Sequence, residues 1–155
     1  LRQILLNMTS NAIKFTDSGH VLISIEVLGR RDNNVRLRMA VEDTGVGINP
    51  EDIPLVYEPY VQLGQRFQRQ LPGAGLGLTI CRQLVQLMDG SLDLESKPGE
   101  GSTFWMELSL QVAPESAARG RPDTSMIRGR HILVVDSYEL SRKITLEMLS
   151  RHELD

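Results

Sequence analysis

An apolar stretch near the start carries three polar side chains at regular spacing. Residues 4–16 read ILLNMTSNAIKFT, with Asn7 and Asn11 four apart and Lys14 three further on. At about 100° per residue in a helix, Leu5, Met8, Ala12 and Phe15 share one face. Asn7, Asn11 and Lys14 share another, roughly a quarter turn away. A stripe at the edge of a core can form the floor of a pocket, or it can be a solvated border. Asn is a mediocre helix former, so two on one stripe need a reason.

Three glycine-bearing segments carry further chemistry. In VEDTGVGI, residues 41–48, a strand ends in an acid and two glycines follow at spacing two. Asp43 can accept hydrogen bonds in a cleft there, while Gly45 and Gly47 let backbone approach a flat ligand. The alternative is a strand followed by a plain glycine turn. In GAGLGL, residues 73–78, glycines precede a helix. Amide N–H groups at a helix N-terminus form an anion site when nothing caps them. Spacing two and two, with no βαβ unit, is not a dinucleotide fingerprint, and no Gly-Lys-Ser/Thr follows as in a P-loop. GEGSTF, residues 99–104, reads by itself as a hairpin turn.

The elements that must position these groups follow from periodicity. A helix is expected from Leu1 to about Phe15, then strands over Val21–Val27 and Val35–Val41 joined by a polar turn at 29–34. A helix start is expected at Asn49-Pro50 and a loop over 63–75. A second helix spans Leu76–Met88, with Leu76, Ile80, Leu84 and Leu87 on one side. Strands at Ser91–Ser96 and Ser102–Leu110 flank the turn at 97–101. This order predicts an α+β fold: a two-layer α/β sandwich with helices on one face of a mostly antiparallel mixed sheet. Residues 111–130 have few large apolar groups and no period, and read as a linker. ILVVD, residues 132–136, and a helix from about Tyr138 read as the start of a second domain, truncated at Asp155.

Composition sets outer bounds. The 155 residues are 41% hydrophobic and 24% charged, with a net charge of −3, as in ordinary globular proteins. No basic block points to nucleic acid, and no apolar run approaches the ~20 residues of a membrane span. The single cysteine, Cys81, excludes an internal disulfide and a CxxC metal site, so a reducing compartment fits. The chain opens at Leu1-Arg2 without Met, and is expected to be an excised fragment. The expected location is cytoplasmic, with a membrane anchor elsewhere in the parent chain left open.

In order and spacing, the segments resemble the catalytic, ATP-binding domain of sensor histidine kinases. These belong to the Bergerat-fold family that includes gyrase, Hsp90 and MutL. The likeness covers residues 1–110. NxxxNAxKFT (Asn7–Thr16) resembles the N box, DTGVGI (Asp43–Ile48) the G1 box, YEPYVQ (Tyr57–Gln62) the F box, GAGLGL the G2 box and GSTF the last glycine box. Residues 131–155 resemble the first strand and helix of a receiver domain, which implies a hybrid sensor kinase of the GacS and RetS type.

The resemblance implies a function: binding Mg-ATP and passing its γ-phosphoryl group to a histidine. It implies Asn11 as the Mg²⁺ ligand and Asn7, Asn11 and Lys14 as the catalytic stripe. It implies nucleotide contacts from Asn11, Lys14, Asp43, Gly45, Gly47, Arg69, Gly73, Gly75, Leu76, Gly77 and Thr103. Asp43 would accept from the adenine amino group, with Gly45 and Gly47 giving clearance. Related ATPases carry a water-activating glutamate where Asn7 stands, and an amide is no general base near neutral pH. Asn7 therefore favours a kinase over a stand-alone ATPase. The implied partners are a histidine-bearing dimerisation domain upstream in the parent, a receiver domain and a second copy of the parent.

Departures from the family pattern support a rival reading. Neither His20, His131 nor His152 stands in a phosphoacceptor context. Tyr57 and Tyr60 replace phenylalanines, Pro72 a glycine, and Ala74 a threonine. Losing a hydroxyl to a charged phosphate costs about 1.5–3 kcal/mol, roughly ten- to a hundredfold in affinity. Ser137 replaces a second acid beside Asp136. The rival is a degenerate domain that regulates another sensor kinase by pairing with it.

Overall fold

The computed structural model describes residues 1–61, 75–113, 129 and 131–150. These fall in two units, Leu1–Val112 and Ala113–Asp155. In the first, helix α1 (Arg2–Phe15) leads into strands β1 (Val21–Arg31) and β2 (Asn34–Asp43). A 3-10 turn (Ile53–Tyr57), helix α2 (Gly77–Gln86) and strands β3 (Ser91–Lys97) and β4 (Gly101–Gln111) follow. The sheet order is β1-β2-β4-β3, and each pairing is antiparallel. The parallel component expected of a mixed sheet does not occur among the described residues.

Alternation in β2 and β4 builds the core. Directly opposed residues of an antiparallel pair share a face. Val41 pairs with Phe104, Met39 with Met106 and Leu37 with Leu108, which puts this apolar row on one side. Ile4, Met8 and Ala12 of α1 and Cys81 and Val85 of α2 bury against it. Leu5 and Phe15, expected on the same helix face, are only half-buried. Full burial of one such large side chain is worth about 1.5–3 kcal/mol. On the opposite face, Glu107 accepts from Arg36 at 2.5 Å and from Arg38 at 2.7 Å, and Arg38 lies 5.3 Å from the Trp105 ring centre. The two guanidiniums, Arg38 first, hold the Glu107 carboxyl below the usual range.

Several expectations shift. The first hairpin turn contracts to Asp32-Asn33, because both strands run on past the apolar residues; Asp32 takes φ 53°. Asn49-Pro50 opens turns, and the helical hydrogen bonds begin later as a single 3-10 element. In α2 the inward face is Leu78, Cys81 and Val85 with Leu84, whereas Leu87 is 81% exposed. The helix turns its small thiol to α1, where Cys81 meets Asn7 and the Ile4 carbonyl. Ile23, Ile25 and Val27 alternate along β1. They point to the helix side of the sheet but stay 50–64% exposed, since β1 is an edge strand and α1 sits over β2.

In the second unit, helix α3 spans Glu139–Ser150. The Asp136 carboxylate accepts the Tyr138 N–H at 2.8 Å, and Arg142 donates to the Asp136 carbonyl at 2.7 Å. Hydrogen bonds from Ser141 and then Tyr138 hold the Asp136 carboxyl low. Residues 131–136 form no strand, contrary to the sequence expectation, and Leu133 and Val135 are exposed. A β conformation needs a neighbour for its backbone groups, and none of the described residues pairs with this run.

The 3-10 turn holds a polar group that burial leaves unsatisfied. The Tyr57 hydroxyl is buried with no hydrogen-bond partner among the described residues. Burial first, then the Asp93 carboxylate, pushes its pKa up to about 12, against the pull of Arg82. An unsatisfied buried hydroxyl costs about 1–3 kcal/mol. Tyr57→Phe is therefore expected to raise the unfolding free energy by about 1 kcal/mol in urea titration. A loss of stability would mean that the hydroxyl has a partner.

Candidate functional site

The polar stripe of α1 faces the start of α2. Asn7 Nδ2 donates to the Gly77 carbonyl at 3.4 Å and to Cys81 Sγ at 3.5 Å. Asn11 and Lys14 follow on the next turns, both half-buried, with the Lys14 ammonium 5.2 Å from the ring centre of Phe15. Thr16 closes the helix by donating its hydroxyl to the Ala12 carbonyl at 2.7 Å.

The segment after β2 docks on the end of α1. Val46 donates its N–H to the Phe15 carbonyl at 3.3 Å. A Cβ at Gly45 would lie 2.3 Å from that same oxygen, so only glycine fits. Gly47, at φ 67°, lies so close to the β3–β4 turn that a Cβ would come 2.1 Å from the Lys97 carbonyl oxygen. Gly99 N–H bonds the Val46 carbonyl at 2.8 Å, and Ile48 N–H bonds Ser96 Oγ at 2.8 Å. Gly101, at φ 111°, passes the Asp43 carbonyl with no room for a side chain: a Cβ would sit 1.9 Å from that oxygen. Gly45 and Gly47 thus have a reason in the packing of the chain against itself.

This clamp fixes Asp43. Its side chain is 6% exposed, at the end of β2, and Oδ1 accepts the Gly45 N–H at 2.9 Å. Burial lifts the carboxyl above its ordinary range. The N–H groups of Gly45 and Ser102 pull the other way, and the neighbouring Glu42 adds a small upward push. Opposite Asp43 in the register stands Ser102, buried, with its hydroxyl 3.0 Å from that of Ser96.

Sequence reasoning chose Thr103 and passed over Ser102. Thr103 alternates with Ser102 and Phe104, so it lies on the sheet face away from Asp43 and the helices. The signal was available: Phe104, Met106 and Leu108 share parity with Ser102.

Gly75 and α2 form the third wall. Tyr60 N–H bonds the Gly75 carbonyl at 3.1 Å, and Gly75 takes φ 67° against Tyr60 and Val61. Leu76 is the N-cap of α2 and supplies no side-chain cap, which leaves first-turn N–H groups of Gly77 and its successors able to meet an acceptor. At Gly77 a Cβ would make only ordinary contact, 3.8 Å from Asn7 Cγ. Arg69 and Gly73 of the expected site, with Gln62, Pro72 and Ala74, lie outside the described residues.

The described residues contain no group of three or more His, Cys, Asp and Glu able to hold a metal by themselves. The amides of α1 suit a Mg²⁺ ion that keeps most of its ligands from phosphate and water, as that ion prefers. No helix among the described residues is long and apolar enough to cross a membrane.

Known proteins resemble this chain in sequence and in fold. Residues 1–112 match the family model described as histidine kinase-, DNA gyrase B-, and HSP90-like ATPase. Sensor histidine kinase AruS of Pseudomonas aeruginosa is 38% identical over 97% of this chain, which spans 15% of its length. Sensor histidine kinase GacS of Pseudomonas protegens is 36% identical over 92% of the chain, again 15% of its own length. The signal transduction histidine-protein kinase BarA of Escherichia coli K12 is 33% identical over 100% of the chain, 17% of its length. Among solved structures, full-length ShkA in complex with AMPPNP superposes with a TM-score of 0.73 and 30% identity, over 99% of this chain and 29% of that one.

The clamp yields a test. Gly101→Ala forces a Cβ onto the Asp43 carbonyl in a left-handed backbone, and is expected to cost roughly 2 kcal/mol or more. Chemical unfolding measures it; a cost under about 0.5 kcal/mol, the level of an ordinary surface change, would show that the turn moves freely from β2.

Proposed function

Since the chain belongs to the histidine kinase-, DNA gyrase B-, and HSP90-like ATPase family, we propose that it is the ATP-binding part of a protein-histidine kinase in two-component signalling. In this reading it binds Mg-ATP and delivers the γ-phosphoryl group to a histidine of a dimerisation domain in its parent. The observation that carries the reading is the joint of α1 and α2. An amide stripe meets an uncapped, glycine-rich helix start, with a buried carboxylate fixed by the clamp at the end of β2.

Each residue then has a task. Asp43, ionised, accepts from the exocyclic amino group of adenine, and burial sharpens that selection because an unmet charge there is costly. Ser102 stands beside it and can hold the same edge of the base. Asn11 offers a neutral amide oxygen to the magnesium ion, which supplies charge neutralisation on the phosphates. Lys14 lies one turn on and adds positive charge. Gly75, Leu76 and Gly77 present backbone N–H groups to phosphate oxygens at the N-terminus of α2. Asn7 cannot take a proton from water, so bound nucleotide keeps its γ-phosphate until a better nucleophile arrives.

The named relatives are sensor histidine kinases, and this chain spans less than a fifth of their length. Phosphotransfer, a receiver partner formed from residues 131–155 and onward, and dimerisation therefore belong to the parent protein. Labelled ATP with that parent separates the reading from its rival. A phosphohistidine supports the kinase, and its absence with nucleotide still bound supports a regulatory module.

Two further outcomes are expected of the chain itself. In calorimetric titration with Mg-ATP, Asn11→Ala and Asp43→Asn each weaken affinity by roughly ten- to a hundredfold, the scale of one charge-assisted contact. Affinity of the unaltered chain falls as pH is lowered through the raised Asp43 pKa, beginning above its ordinary 3.8, because protonation removes the charge and leaves a weaker, neutral acceptor. Unchanged affinity in both variants would remove the nucleotide from this cleft. Second, Asn7→Glu supplies the missing base and is expected to raise phosphate release from bound ATP by roughly tenfold or more. No rise with ATP still bound would count against the role given to Asn7.

A further inference from the structure

Cys81 is fully buried one turn into α2, and the mechanism above gives it no task. Its S–H is aimed at the Ile4 carbonyl of α1, 3.9 Å away, which leaves sulfur lone pairs toward Asn7. Asn7 Nδ2 donates to that sulfur and to the Gly77 carbonyl. A backbone carbonyl can only accept. A flipped Asn7 amide would set its own oxygen against the Gly77 oxygen, losing that hydrogen bond, and could keep the sulfur contact only by drawing the S–H from the Ile4 carbonyl. Burial also keeps the thiol neutral, outweighing the pull of the Asn7 N–H.

We propose that Cys81 is a positioning residue for Asn7: with the Gly77 carbonyl it holds the amide N–H groups on α2 and leaves Oδ1 as the atom Asn7 offers to the magnesium nucleotide. The stripe then presents two neutral oxygens, from Asn7 and Asn11, rather than an oxygen and a donor. The proposal rests on the nucleotide reading for its ligand, but the orientation of the amide exists without it. It also ties α1 to the helix that begins at the glycine-rich segment.

The test uses the ¹⁵N-labelled chain, free and with Mg-ATP. The Asn7 side-chain NH₂ pair is assigned by its disappearance in Asn7→Asp. In Cys81→Ala this pair is expected to shift more than any other side-chain amide; in Cys81→Ser, which retains an acceptor, it returns toward its original position. Mg-ATP affinity falls roughly three- to tenfold in Cys81→Ala, the scale of one neutral hydrogen bond, and recovers in Cys81→Ser. A purely structural role would lower melting temperature without singling out the Asn7 signals or being relieved by serine. If Cys81→Ala does not fold, Cys81→Val fills the space without an acceptor and carries the same expectations. Unmoved NH₂ signals overturn the proposal. So do moved signals with unchanged affinity when Asn11→Ala still weakens it. Moved signals in a chain that binds no nucleotide leave the positioning standing and refute the nucleotide reading instead.

Discussion

Backbone crowding at the end of β2 is the constraint on which the site depends. Three segments meet there: the end of α1 at Phe15, the loop after Asp43, and the turn between β3 and β4. Gly45, Gly47 and Gly101 each turn the place where a side chain would stand toward another segment's carbonyl. Because no side chain intervenes, backbone hydrogen bonds can close the junction directly, as Val46 does with Phe15 and Gly99 with Val46. Asp43 inherits its position from this junction. A buried carboxylate is costly to place, and here two backbone N–H groups and a fixed register hold it where the fold requires.

Helix α2 completes the arrangement by gripping two neighbours at once. Gly77 and Cys81 face α1 through Asn7, while Thr79 donates to the Tyr57 carbonyl at 3.0 Å and Arg82 lies 5.0 Å from the Tyr57 ring centre. Val85 on the same helix enters the core. The helix that begins at the glycine-rich segment is thereby tied to the amide stripe on one side and to the aromatic 3-10 turn on the other. Any displacement of its first turn is felt at Asn7 and at Tyr57 together.

Periodicity made most of this architecture readable before any coordinates. The alternation in Val35–Val41 and Ser102–Leu110 located the two central strands, and the resemblance located Asn7, Asn11 and Asp43 in their segments. What it missed has physical causes. Thr103 was preferred to Ser102 because a motif gives order but not parity; parity comes from pairing with Asp43. Cys81 was read only for its redox meaning, since its contact with Asn7 spans the chain and has no local signature. Leu87 was placed inward by counting from Leu76, although the helix turns Gly77 and Cys81 toward α1. In β1, alternation of Ile23, Ile25 and Val27 marked a strand, yet a pattern says which face a strand would bury and not whether anything lies above it. HILVV reads as a strand for its composition, but a strand is a relation between two segments.

The exposed side of β1 also bears on how this piece behaves at high concentration. Among the described residues, the outer edge of the eleven-residue strand β1 has no strand beside it, next to a row of exposed aliphatic groups, the combination by which molecules anneal into extended sheets. The register slip between Val27 and Gly29 and the charges at Arg30, Arg31 and Asp32 interrupt that edge at its far end. Annealing is therefore favoured in the half nearest Val21, where an added lysine on the edge would act as a gatekeeper.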